Sequence, residues 1–220
     1  MWFEEKNEKY DFIEFATKDE WLANRTNTIG GSDASTMVGM NKYRDEVDLW
    51  EEKILGKRND ISDKPSVRFG TYAEPYLIGL FALEHDEFDV SVGGFHFMIS
   101  KEKSFMHYSS DGFLIEKDTN KKGILEIKTS TPQNKQMWEE WEERIPTQYY
   151  IQVLHGLIVT GYDFVIIKAR LKTKNGAVVK EYRINRDEVQ EDIEWLMNEE
   201  EDRLNKYYLP KIKPPKKISI

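Results

Sequence analysis

Two acids and a lysine lie at a spacing that can build a cation site. Asp111 is followed by turn residues at 118–121 and then by 124–128, whose composition predicts a buried strand. Strand side chains alternate, so Glu126 and Lys128 share one face, and the turn would place Asp111 within about 5–8 Å of them. Buried charges cost several kcal/mol unless they are paired or metal-bound. The pattern favours a hard-cation site; the alternative is a salt-bridge cluster at a strand end.

Residues 25–35 have the features of an anion-binding loop. Two consecutive glycines let the backbone approach a ligand closely, and Ser32 or Asp33 can cap a helix that begins at Ala34. The free N–H groups at a helix N-terminus suit a phosphate, and Arg25 and Ser32 would add further donors. The alternative is an ordinary Gly-Gly loop with a normal helix cap.

Composition limits the class of protein. The chain has 220 residues, no cysteine and a net charge of −8, which excludes disulfides, cysteine-ligated zinc and cysteine nucleophiles and fits a cytoplasmic setting. No apolar run is long enough to span a membrane, and the N-terminus does not resemble a signal peptide. The negative charge argues against a nucleic-acid coat protein, but not against a nuclease with a local basic groove. We expect a single domain over 1–208 and a basic, proline-containing tail over 209–220.

Helical and strand patterns divide the rest of the chain. Helices are predicted from about residue 18 and over 47–55, 67–85, 133–144, 146–160 and 186–208, with a polar loop over 57–65. Strands are predicted over 89–99, 106–113, 123–129, 163–171 and 177–184. The first three are expected to pair antiparallel, and the last two to form a hairpin.

The two long helices carry further candidates. A broad apolar face is predicted on 67–85, formed by Phe69, Tyr72, Ala73, Tyr76, Leu77, Leu80 and Phe81. Glu74 lies beside that face, and packing on the sheet would bring it over Asp111; the alternative is a solvated surface acid. On 146–160, Tyr149, Gln152 and His155 recur three apart and share one flank.

Several motifs occur together in one order. They are Arg25 with Ile29-Gly30-Gly31-Ser32-Asp33-Ala34, then Gly70-Thr71-Tyr72-Ala73-Glu74-Pro75, Ser109-Ser110-Asp111-Gly112, Glu126-Ile127-Lys128, Pro146-x-x-Tyr149-x-x-Gln152-x-x-His155 and Val159-Thr160-Gly161. From about residue 21 to 170 the chain resembles the lambda-exonuclease/YqaJ-type viral recombinase family, within the restriction-endonuclease-like PD-(D/E)XK nucleases. Ser110 stands where the family often has proline. The resemblance implies an α/β fold with a restriction-endonuclease-like core, a mixed central sheet flanked by helices.

The resemblance also assigns roles to residues. It implies two Mg²⁺ ions, replaceable by Mn²⁺, held by Glu74, Asp111, Glu126 and the Ile127 carbonyl. Lys128 would act as base or electrostatic stabiliser, the former helped if burial lowers its pKa. Gln152 would position Lys128 or the scissile phosphate. Contacts to the 5′ phosphate and DNA would come from Arg25, Ser32, Ser109 and Tyr149.

The implied activity is degradation of the 5′-ended strand of duplex DNA, leaving 3′ overhangs for phage-type recombination. A homotrimer, a single-strand annealing protein as partner, and a phage or prophage origin in a bacterial cytoplasm are implied with it. One alternative is an endonuclease or a 3′-directed nuclease of the same superfamily. Another is a non-catalytic module that binds DNA ends.

Overall fold

The computed structural model describes residues 1–57, 61–142 and 144–216. Its strands are β1 (Tyr10–Phe15), β2 (Ile29–Gly30), β3 (Phe88–Ser91), β4 (Phe95–Ser100), β5 (Met106–Tyr108), β6 (Gly112–Glu116), β7 (Lys122–Ser130), β8 (Phe164–Thr173) and β9 (Gly176–Asn185). Its α-helices are α1 (Lys18–Asn24), α2 (Gly31–Met37), α3 (Glu46–Leu55), α4 (Pro65–Glu84), α5 (Lys135–Glu142), α6 (Thr147–Thr160) and α7 (Gln190–Arg203).

The strands form two sheets. A five-stranded sheet has the order β3-β6-β7-β8-β9, in which β7 and β8 are parallel and the other pairs antiparallel. A four-stranded sheet has the order β1-β4-β5-β2. The single strand predicted over 106–113 is therefore wrong: β5 ends at Tyr108 in one sheet and β6 begins at Gly112 in the other. Asp111 lies in the crossover between the sheets.

Helices cover both faces of β7. On one face, Leu77, Ile78 and Phe81 of α4 pack with Leu125 and Ile127. On the other, Ile124 joins a larger core that includes much of α6. Because the side chains of β7 alternate, the strand meets a helix on each side, as expected for a buried strand with almost continuous apolar sequence.

Helix boundaries mostly follow local signals. Asp45 caps α3 and Gly56 ends it in the left-handed conformation, while α6 follows Pro146 and ends at Gly161, also left-handed. The helix predicted over 186–208 instead starts with a 3₁₀ turn, becomes α-helical at Gln190 and ends as a π-helical turn.

The predicted apolar face of α4 is partly wrong. Leu77 is buried, with 7 % of its surface exposed, but the exposed fractions of Phe69, Tyr72 and Tyr76 are 48 %, 70 % and 79 %. The flank with Leu77, Ile78 and Phe81 is buried against the sheet, and Ala73 packs at its edge. Phe69, Tyr72 and Tyr76 remain largely exposed to solvent, because the helix is apolar around more of its circumference than one sheet can cover.

The described part of the C-terminal segment folds back on the protein. Pro214 is buried, and Lys213 pairs with Glu51 of α3 at 2.6 Å. Three earlier predictions extend outside the described residues: the loop over 57–65 includes 58–60, the helix over 133–144 includes 143, and the tail over 209–220 includes 217–220. Within the described ranges, no helix is both long and apolar enough to cross a bilayer.

Candidate active site

The Glu126 carboxylate is the centre of the candidate site. It is buried on β7, and three donors hold it. The Tyr108 hydroxyl donates to Oε1 at 2.5 Å, while Lys128 Nζ and Gln152 Nε2 donate to Oε2 at 2.6 and 3.0 Å. Gln152 comes from α6 and Tyr108 from the other sheet, so three separate elements fix this carboxylate.

Asp111 is held beside Glu126 by the backbone of β7. Its Oδ2 accepts a hydrogen bond from the Ile127 N–H at 2.7 Å, and the pairing of Gly112 with Leu125 continues the ladder toward this point. The turn between β6 and β7 contains Asn120 with φ 55°. The expected proximity of Asp111 to Glu126 and Lys128 is therefore present.

Glu74 approaches the same group from α4. The residue is half-buried, and burial, followed by the charge of Glu126, raises its pKa, while Lys128 and Lys18 oppose the shift. The site therefore draws acids from a helix, a sheet crossover and a strand.

The electrostatics of the site are dominated by negative charge. Burial and the charge of Glu126 raise the pKa of Asp111 well above its usual range, and Lys128 offsets only part of this. Burial by itself would lower the pKa of Lys128, but Glu126 and Asp111 outweigh it and the pKa is raised. A lowered Lys128 pKa, one condition for its acting as a base, is therefore not found.

The donor set fits a hard divalent cation. Three carboxylates face the ammonium of Lys128, with Lys18 close enough to act on Glu74, so negative charge is in excess. A buried excess of this kind is costly unless a cation compensates it, and carboxylate oxygens are the ligands that Mg²⁺ and Mn²⁺ prefer. The residues that would hold such an ion are Glu74, Asp111, Glu126 and the backbone of Ile127.

A second cluster of possible metal-ligand atoms lies outside the candidate site. Among the described residues, the group of three whose ligand atoms lie within 4.8 Å of one another is Glu84, His85 and Glu181, not the three site acids. Lys168 pairs with both Glu84 and Glu181, so their charge is already compensated. Glu84 lies ten residues beyond Glu74, about 15 Å along the helix axis. We assign no metal to this second cluster.

Three of the four residues predicted to contact the 5′ phosphate and DNA, all except Tyr149, are connected through Trp21. Arg25 Nη2 donates to Ser32 Oγ at 2.6 Å, and the guanidinium carbon lies 4.9 Å from the Trp21 ring centroid. The Trp21 Nε1–H donates toward Ser109 Oγ at 3.2 Å, and Ser109 donates to the His96 carbonyl at 2.5 Å. The structure thus joins Arg25 to Ser32 directly and links Ser109 to them through an indole.

The loop before α2 is built differently from the prediction. The helix begins at Gly31, not Ala34, with Gly30 as its N-cap, and the Asp33 carboxylate accepts a hydrogen bond from the Gly30 N–H at 3.2 Å. Lys53 of α3 pairs with Asp33 at 2.7 Å and donates to the Arg25 and Thr28 carbonyls. The helix spans seven residues, so a phosphate role here depends on side chains rather than on a long helix dipole.

The flank of α6 divides between the site and the core. Tyr149 lies with its ring centroid 5.5 Å from Lys128 Nζ and 5.4 Å from that of Trp141. His155 is fully buried and pairs with Glu200 at 2.9 Å. Of the three residues spaced by three, Gln152 and Tyr149 face Lys128 and its partner Glu126, whereas His155 belongs to a buried ion pair.

Sequence reasoning missed Tyr108, Trp21 and Lys53. A signal for Tyr108 exists in Gly156, which lies in the interior of α6; a glycine inside a helix often marks a close approach. No comparable sequence signal marks Lys53, because its partners lie on a different element.

Comparison with known proteins gives consistent matches. The model of the YqaJ-like viral recombinase domain matches residues 20–163. A Bacillus subtilis (strain 168) protein, uncharacterized protein YqaJ, is 30% identical over 152 residues, which are 67% of this chain and 44% of that protein. The chain therefore spans less than half the length of this curated relative.

Two solved structures share the fold. The alkaline exonuclease LHK-Exo from Laribacter hongkongensis superposes with a TM-score of 0.59 at 16% identity, covering 88% of this chain and 97% of the exonuclease. A phage-related exonuclease from Haemophilus somnus 129PT gives 0.55 at 13% identity, covering 83% and 96%. The predicted fold class, a restriction-endonuclease-like core with helices flanking a mixed sheet, is confirmed.

Proposed function

The chain belongs to the YqaJ-like viral recombinase domain family, and on this premise we propose that it is a metal-dependent exonuclease acting on the 5′-ended strand of duplex DNA. The observation that carries the proposal is the group of Asp111, Glu126, Lys128 and Gln152, held by direct hydrogen bonds and carrying excess negative charge. The products would be 3′ overhangs for recombination.

Each side chain has a role that its surroundings support. Bound Mg²⁺ would supply an activated water and stabilise the leaving 3′ oxygen. Glu74, Asp111 and Glu126 would hold the ions, with the Ile127 carbonyl. Gln152 would keep the Glu126 carboxylate oriented through its 3.0 Å hydrogen bond.

Lys128 would act as a cation rather than as a base. Its ammonium, which pairs with Glu126 at 2.6 Å, would stabilise the charge that grows on the scissile phosphate. Tyr149, whose ring lies close to the ammonium, would limit its position.

Arg25, Ser32 and Ser109 would receive the terminal 5′ phosphate. A guanidinium with hydroxyl neighbours suits a phosphate, because charge-assisted hydrogen bonds are short and strong. Arg25 already contacts Ser32, and Trp21 connects this pair to Ser109. Each cleavage would leave a new 5′ phosphate to rebind, which gives the enzyme its direction.

The assembly is part of the proposal. We expect a homotrimeric ring around DNA, which passes its product to a single-strand annealing protein in the cytoplasm of a bacterial host, with a phage or prophage origin. A ring with a basic channel would reconcile the net charge of −8 with a DNA substrate.

The test is digestion of duplexes labelled on either strand, with 5′-phosphate ends, 5′-hydroxyl ends or no ends, in Mg²⁺. We expect rapid shortening of the 5′-ended strand from phosphorylated ends and no cleavage of covalently closed circles. Cleavage of circles would identify an endonuclease, and shortening of the 3′-ended strand the opposite polarity. End binding without cleavage would identify a non-catalytic module.

The phosphate pocket is tested in the same assay. Arg25→Ala should slow digestion of 5′-phosphorylated ends at least tenfold more than digestion of 5′-hydroxyl ends, since it removes the charged donors. Arg183→Ala, which removes an arginine paired with Glu116 on β6, is the control and should leave the preference unchanged. Equal losses on both kinds of end would reject the pocket.

A further inference from the structure

Tyr108 is a buried tyrosine whose hydroxyl reaches the centre of the candidate site. Its side chain is 1 % exposed, and it donates to Glu126 Oε1 at 2.5 Å. Lys128 and Gln152 hold the other oxygen of the same carboxylate. Donors on both oxygens fix the rotation of a carboxylate more strongly than donors on one.

Two glycines form the slot that holds the Tyr108 ring. A methyl group added to Gly31 would place its carbon 2.6 Å from Tyr108 Cε2, and one added to Gly156 would place its carbon 2.6 Å from Cζ. These distances lie well inside van der Waals contact, so any larger residue would displace the ring. Tyr108 therefore lies in direct contact with the start of α2 and the middle of α6, and we call these two contacts the clamp.

The two glycines connect Tyr108 to the Arg25–Ser32 pair and to the group around Glu126. Gly31 directly precedes Ser32, whose hydroxyl contacts Arg25. Gly156 lies one turn after Gln152, which donates to Glu126. The ring thus packs against α2 and α6, each of which presents a candidate site residue, and its hydroxyl reaches the strand that carries Glu126.

We propose that Tyr108 is a positioning residue, which orients the Glu126 carboxylate for metal binding through its hydroxyl while the two glycines fix its ring. The inference rests on the proposed function, because it gives Glu126 the role of metal ligand. Hydrogen-bonded partners of metal ligands set ligand orientation, and their removal commonly lowers metal affinity 10- to 100-fold.

The test compares two tyrosine hydroxyls. Tyr108→Phe removes the donor to Glu126 and keeps the ring, while Tyr162→Phe removes a similarly buried hydroxyl that pairs with Tyr10 at 2.5 Å on another part of the fold. Mn²⁺ affinity is measured calorimetrically without DNA, alongside DNA-end affinity in Ca²⁺, cleavage rate in Mg²⁺ and the unfolding midpoint.

We expect Tyr108→Phe to bind Mn²⁺ about 10- to 100-fold more weakly, to need correspondingly more Mg²⁺ for half-maximal cleavage, and to bind DNA ends like the unmodified protein. Tyr162→Phe should bind Mn²⁺ as tightly as the unmodified protein does, even if its unfolding midpoint is lower. Unchanged Mn²⁺ affinity in folded Tyr108→Phe, or an equal loss in Tyr162→Phe, would overturn the inference.

A second variant tests the clamp if Tyr108→Phe does not fold. Gly156→Ala keeps the hydroxyl but pushes on Tyr108 Cζ, so it should also weaken Mn²⁺ binding; unchanged affinity would count against the inference. Absence of both Mn²⁺ binding and cleavage in the unmodified protein would instead reject the proposed function. The two failures are therefore distinguishable.

Discussion

At the scale of single residues, Lys128 has a positive charge that its neighbours stabilise. It pairs with Glu126 at 2.6 Å, and the charge of Asp111 raises its pKa further. Because burial alone would have acted in the opposite direction, the sign of the shift depends on the acids around it. The same acids make a divalent cation favourable there.

Lys128→Ala should lower the cleavage rate by about 10²- to 10³-fold, as expected for loss of a group that stabilises developing charge. DNA-end binding in Ca²⁺ should change little, since the group acts mainly in the transition state. Lys135→Ala, at a 90 % exposed side chain on α5, is the control. Near-normal single-turnover cleavage by Lys128→Ala would remove the lysine from the mechanism.

Asp33 connects the loop that precedes α2 to Lys53 of α3 and should make stability sensitive to acid. Burial would raise its pKa, but Lys53 and Arg25 lower it to about 2. A folded-state pKa below the unfolded value stabilises the fold at pH above about 4, and this contribution is lost as the pH falls toward 2. The shift corresponds to about 2 kcal/mol of unfolding free energy.

We therefore expect the unfolding free energy to fall less steeply between pH 4 and pH 2 in Asp33→Asn than in the unmodified protein, as followed by urea titration at each pH. Asp118→Asn, at an exposed turn, is the control. An identical acid dependence in Asp33→Asn would show that this carboxylate does not carry the effect.

At the scale of elements, α4 has one face that packs and another that does not. Leu77 lies in the core between the helix and the sheet, while the adjacent Tyr76 is 79 % exposed. Hydrophobic periodicity identified the helix, but it did not separate these two faces, because both are rich in apolar residues. The sheet buries the flank with Leu77, and the same packing brings Glu74 to the site.

Leu77→Ala should reduce the free energy of unfolding by about 2–5 kcal/mol, because it removes buried methyl groups and leaves a cavity. Tyr76→Ala should change it by less than about 0.5 kcal/mol, as for most exposed positions. Denaturant titration of the two variants measures the difference. A similar loss of unfolding free energy in both variants would mean that Tyr76 is covered by another surface in solution.

At the scale of the whole molecule, two sheets meet at the candidate site. The crossover that contains Asp111 separates β5 from β6, so Tyr108 reaches Glu126 from the end of one sheet, and Asp111, three positions later, lies beside Glu126 just before the first strand residue of the other. Helices α2 and α6 then close the site from one side, and α4 contributes Glu74 from the other. The site therefore depends on the assembly of the whole core.

The proposed ring gives a prediction at this scale. Sedimentation equilibrium should give a particle with three times the mass of the chain, and dilution should lower the digestion rate per chain if the ring encloses DNA. A monomer that digests DNA at an undiminished rate on dilution would contradict the ring without affecting the chemistry at Glu126.

The sequence by itself determined the local parts of this protein. Strand alternation put Glu126 and Lys128 on one face, and capping residues set the limits of α3 and α6, because such signals act over a few neighbouring residues. The order of motifs also indicated the family and fold that the comparisons confirm.

The tertiary structure decided what depends on distant neighbours. The hydrogen bond from Tyr108 to Glu126 joins two sheets, and the link from Arg25 through Trp21 to Ser109 joins segments more than 80 residues apart. The direction of the Lys128 pKa shift also required the packed site. The burial of a side chain and the charge around it depend on every element that packs against it. A single stretch of sequence therefore does not determine them.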